Sequence, residues 1–63
     1  MTQKELSYFE DAIGHESNII KIINDTINKL DNEELIVFMN EELQKHKTLK
    51  QNLMNKLEVK ANG

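Results

Sequence analysis

Apolar residues recur along this chain at intervals of three and four rather than two, the spacing of a helix face and not of a strand. From Leu6 the series continues through Phe9, Ile13, Glu16, Ile20, Ile23, Ile27 and Leu30. It is a heptad seam with one polar entry, Glu16. Ala12, Ile19 and Ile22 widen that face, and a face so wide expects more than one neighbouring helix. A second series, Leu35, Ile36, Phe38, Met39, Leu43, His46, Leu49, Leu53 and Leu57, also has one polar entry, His46. The chain has no Pro, and its two glycines are Gly14 and Gly63. The pattern predicts an all-α fold.

Two start signals divide it. Thr2-x-x-Glu5 fits a capping box, in which the Thr hydroxyl and the Glu carboxylate each satisfy an amide of the first turn, with Met1 and Leu6 at the staple positions. Asp31-x-x-Glu34 repeats the signal, with Asp31 as cap and Leu30 and Leu35 as staple. The acidic run Asp31, Glu33, Glu34 suits a helix N-terminus, and Lys29 suits the C-terminus before it.

The phase of the two seams excludes one straight helix. Continued in register, the first seam lands on Glu34, Val37, Glu41, Gln44, Thr48 and Gln51, mostly polar. The second seam is displaced by two residues, about 200° of helix rotation. A straight helix would place its apolar halves on opposite sides, whereas a turn between Asn28 and Asn32 sets them face to face. The expectation is a single domain over 1–63, an antiparallel two-helix hairpin: helix about 3–29, turn about 30–32, helix about 32–59, fraying from Val59 to Gly63. Each helix is then roughly 40 Å long.

Length changes this picture. Sixty-three residues make a marginal core, and no Cys is present to staple it. Two-fold dimerisation into a four-helix bundle would close the open side of the seam. The expected interface or core residues are Phe9, Ile13, Ile20, Ile23, Ile27, Ile36, Met39, Leu43, Leu53 and Leu57.

Charge narrows the partners. Net charge is −3, and all eight basic residues are Lys, with no basic block. The guanidinium forks that read phosphate and base edges are missing, so nucleic acid is not expected as a partner. No apolar run approaches the roughly 20 residues of a membrane span. Met1 to Glu5 lacks the charged-then-apolar pattern of a signal peptide, and a cytoplasmic product is expected unless a partner carries it elsewhere. The abundance of Ile, Asn and Lys without Arg suggests codon supply in an AT-rich bacterial genome.

The candidate chemistry lies where the seams break their own pattern. Folding the hairpin about residue 31 sets Glu16 level with His46, and His15 level with Lys47. Glu42 lies one turn from His46 on the same face. Carboxylates and imidazole on facing helices are the ligand set of Fe, Mn and Zn in bundle proteins. The di-iron pattern spaces Glu and His by three, whereas Glu42 and His46 are spaced by four, with Leu43 at the three-spaced position. The simpler reading is an ion pair between Glu16 and His46 that fixes helix register. A largely exposed His46 is the third alternative, and His15 falls at the rim. Gly14 is either tolerated, at about 1 kcal/mol relative to Ala, or marks close approach of another helix. Ser7 and Ser17 have no His-and-acid constellation, no phosphate-cradling glycine loop exists, and so small a bundle has little room for a substrate pocket. A non-enzymatic protein is expected.

Lys4-Glu5-Leu6, Tyr8-x-Glu10-Asp11-Ala12-Ile13-x-x-Glu16, Asp31-x-Glu33-x-Leu35 and Glu42-x-x-x-His46 with Leu53 and Leu57 together resemble the short members of the spore coat protein F family. The resemblance covers nearly the whole chain, as half of a longer family member. It implies a ferritin-like helical bundle, a place in the outer layers of the spore, and metal on inward Glu and His, here Glu16, Glu42 and His46. Three functions follow as expectations. They are a self-associating structural or coat protein, a metal-binding bundle, and a small regulatory hairpin that docks on a larger helical protein.

Overall fold

The computed structural model describes residues 1–62, with side chains described for 1–60. Two helices, α1 (Gln3–Ile27) and α2 (Glu33–Asn62), pack against each other as an antiparallel hairpin. The molecule measures 46 × 15 × 10 Å, two helices wide and one helix thick. The all-helical hairpin agrees with the reading of the two seams.

α1 starts as the sequence indicates. The Thr2 hydroxyl accepts from the Glu5 amide at 3.1 Å, and the Thr2 amide donates to the Glu5 carboxylate at 2.9 Å, completing the capping box. α1 ends at Ile27, two residues short of the expected boundary. The Asn28 amide still bonds the Asn24 carbonyl. The next two amides tighten to three-residue bonds, Lys29 to Thr26 and Leu30 to Ile27. This satisfies carbonyls of the last turn and turns the chain out of the helix. No residue from Asn28 to Asn32 has positive φ.

The cap of α2 is Asn32, not Asp31. The Asn32 side-chain oxygen accepts from the Leu35 amide at 3.0 Å, and its carbonyl accepts from the Ile36 amide at 3.0 Å. Asp and Asn cap equally well, so residue type alone could not separate neighbours. The one-residue shift removes the expected second capping box and staple. Leu35, not Glu34, becomes the third helical residue, and its side chain is exposed. Glu33 and Glu34 remain in the first turn, where the helix dipole favours acidic side chains.

α2 continues to Asn62 rather than ending near Val59. No Pro or Gly interrupts it before Gly63, which lies outside the described residues.

The seam follows strict three-four spacing on both helices. On α1 it takes Leu6, Phe9, Ile13, Glu16, Ile20, Ile23 and Ile27. On α2 it takes Ile36, Met39, Leu43, His46, Lys50, Leu53 and Leu57, none of them exposed. Lys50 therefore holds the seam position that Leu49 had been expected to take, and Leu49 is exposed. A lysine can occupy such a place by laying its methylene stem along the seam with the ammonium at the edge. Among the described residues only Ile23, Leu43 and Glu16 are buried.

Candidate functional site

Midway along the seam, α1 contributes Glu16 and α2 contributes His46. The helical phase that makes each a seam position also aims each at the other helix. Glu16 Oε2 and His46 Nδ1 are 2.6 Å apart. A carboxylate only accepts, so the imidazole donates from Nδ1, which fixes which ring nitrogen must carry a proton. Charge assistance accounts for the short distance. Glu16 is only 7 % exposed, while His46 is half-buried and reaches the edge of the seam. No buried side-chain nitrogen or oxygen among the described residues is left without a partner. The register expected from folding about residue 31 is the one observed.

The third candidate ligand is placed differently. Glu42 Oε1 lies 3.5 Å from Lys45 Nζ on its own helix. Among the described residues no group of three or more His, Cys, Asp or Glu side chains is arranged to hold a metal ion. Glu16 and His46 satisfy each other, and within one chain Glu42 does not join them. His15 is exposed on the outside of α1.

The ten residues expected at the interface all lie between α1 and α2 of one chain. Ile23 and Leu43 are buried, and Phe9, Ile13, Ile20, Ile27, Ile36, Met39, Leu53 and Leu57 are half-buried. Beside them, Gly14 sits on an open groove of about 570 Å³ shared with Ile13, Met54 and Leu57. A Cβ built on Gly14 meets nothing within 4 Å, so its own chain makes no close approach there. A second groove, about 730 Å³, runs along the outside of α2 over Val37, Glu41 and Thr48. Neither groove is lined by Glu16 or His46.

Two features escaped the sequence reading. Lys50 sits in the seam, which counting four from His46 would have found. The exposed Phe38 and Leu49 had been read as part of the α2 seam, but they form a separate stripe one position off it. No helix among the described residues is long and apolar enough to cross a membrane. No protein-family model, curated protein or solved structure matches the chain.

Proposed function

We propose that this chain is a non-enzymatic structural protein that works by self-association, two hairpins closing into a four-helix bundle. The observation that carries this reading is how little one chain buries. Two apolar side chains are buried among the described residues, while Ile22 is 62 % and Phe38 53 % exposed. Large exposed apolar patches mark association surfaces, and a hairpin with so small a core gains its stability by covering them. The Glu16–His46 pair serves as the register element, since a polar pair in an apolar seam disfavours slipped alignments.

The resemblance to short spore coat protein F members supports a coat assembly as the setting. Recovery of the protein in the extracted coat fraction of purified spores tests that setting.

Native mass spectrometry of the protein as purified tests the self-association. The expected result is a metal-free dimer. A monomer at micromolar concentration overturns self-association and directs attention to a larger helical partner. A dimer retaining metal would make Glu16, Glu42 and His46 ligands brought together across chains.

A further inference from the structure

The exposed apolar side chains are not scattered. Beside its seam, α1 carries a second stripe at three-four spacing: Tyr8, Ala12, His15, Ile19, Ile22 and Thr26. α2 carries a matching stripe: Leu35, Phe38, Glu42, Lys45, Leu49 and Asn52. Each stripe includes the residues that immediately precede seam positions. Because the helices are antiparallel, both stripes fall on the same broad face of the hairpin. The opposite face is the groove side with Glu10, Gly14, Gln51, Met54 and Glu58, and its exposed large apolar side chains are fewer, Val37 and Met54.

The chain also exposes much surface for its mass. A compact monomer of 7.4 kDa exposes about 4,200 Å² by the usual mass scaling. This chain exposes 4981 Å², an excess that goes with its 46 × 15 × 10 Å shape, one helix thick, and that stacking on a second hairpin would reduce.

We propose that a second copy of this chain seats on that face about a two-fold axis perpendicular to the helices at the height of Ile19, so that α2 runs antiparallel to α2 of the other copy. This rests on the self-association proposed above and adds its face and symmetry. The argument is the self-complementarity of the α2 stripe. Reversing the α2 stripe about the point between Glu42 and Lys45 sets Glu42 of each copy against Lys45 of the other. The same operation sets Phe38 against Leu49. Carried across the hairpin by the Glu16–His46 register, that point is level with Ile19, which meets its own copy. In the α2 stripe apolar thus meets apolar and acid meets base at the four inner positions, with Leu35 against Asn52 at the ends, while in the α1 stripe Ala12 lies against Thr26 and His15 against Ile22, all about a single axis, as an isologous contact requires. Glu42 is already drawn toward Lys45 within its own helix at 3.5 Å. The pair therefore presents a carboxylate and an ammonium side by side, in the order that a two-fold copy inverts.

Two charge reversals test the geometry, with sedimentation equilibrium as the readout and circular dichroism as the check on folding. Glu42→Lys alone, and Lys45→Glu alone, each set like charges across the axis and weaken the dimer by about tenfold or more. Mixed in equal amounts, the two variants restore every opposite-charge contact and form a heterodimer. Retention of both variant homodimers at wild-type strength overturns the proposed face while leaving self-association standing. A monomeric wild type overturns both. If either variant alone fails to fold, Phe38→Cys and Leu49→Cys chains are mixed and oxidised instead. A disulfide joining position 38 of one chain to position 49 of the other supports the axis, and its absence overturns it.

Discussion

Glu16 Oε2 and His46 Nδ1 meet at 2.6 Å across a sequence separation of thirty residues, the one side-chain hydrogen bond between the helices among the described residues. Removing one partner strands the other. His46→Ala leaves a carboxylate buried without a donor, which costs about 3 kcal/mol. Replacing both with Leu removes the desolvation cost together with the bond, and the double variant is expected to match or exceed the wild type in stability. Urea denaturation of Glu16→Leu, His46→Leu and the double variant closes the cycle. A purely additive result would show that the two groups do not interact in solution.

The start of α2 separates two neighbouring candidates for the cap. Asn32→Ala removes the acceptor of the Leu35 amide and is expected to cost about 1 kcal/mol. Asp31→Ala, one residue outside the helix, removes only a screened charge near the helix end and costs a few tenths. Thermal melts of the two variants rank them. A larger loss at Asp31 than at Asn32 would return the cap to Asp31.

Gly14 lies on the groove side, away from the stripes, where nothing approaches a Cβ. Gly14→Ala is therefore expected to stabilise the chain by about 1 kcal/mol through helix propensity and to leave the oligomeric state unchanged. A loss of stability would show that another helix packs closely over Gly14.

The capping box predicts the acid limb of stability. The Thr2 backbone amide, and then its hydroxyl, hold the Glu5 carboxyl below its ordinary value. A group whose folded value is depressed adds stability above its unfolded value and loses it as pH falls through the folded value. The first turn of α1 should therefore loosen only at a pH below the usual carboxylate range. Titration of the Glu5 side-chain carboxyl by NMR should give a lower midpoint than in an unstructured peptide of the same sequence. An equal midpoint would mean that the box does not form in solution.

Most of the hairpin was legible because heptad phase is a strict signal. The two-residue offset between the seams required a turn, and folding about residue 31 placed Glu16 opposite His46. The boundaries were less legible because they depend on competition between chemically similar groups. Asp31 and Asn32 are both good caps, and only the path of the turn chooses between them. Lys50 was missed because lysine reads as a surface residue, although its position in the heptad is as regular as that of Leu53. The stripe of Ile22, Phe38 and Leu49 was partly assigned to the core because apolar character does not say which of two adjacent faces a residue serves. Antiparallel packing is needed to show that the stripes of both helices share one side.

The turn between Ile27 and Glu33 has a kinetic consequence. It closes the shortest loop in the molecule, so the seam positions beside it, Ile27 with Ile36 and Ile23 with Met39, meet at the least entropic cost. The remaining layers close in sequence toward the free ends, and each adds only a small increment of chain closure. Folding then proceeds like a zipper from the turn, rapid in the way of chains dominated by local contacts. Substitutions near Ile27 and Ile36 should slow folding, whereas those near Leu6 and Leu57 should mainly hasten unfolding. The Glu16–His46 contact, halfway along, forms only once half the seam is already aligned. It therefore acts as a proofreading step on register and not as the nucleus of the fold.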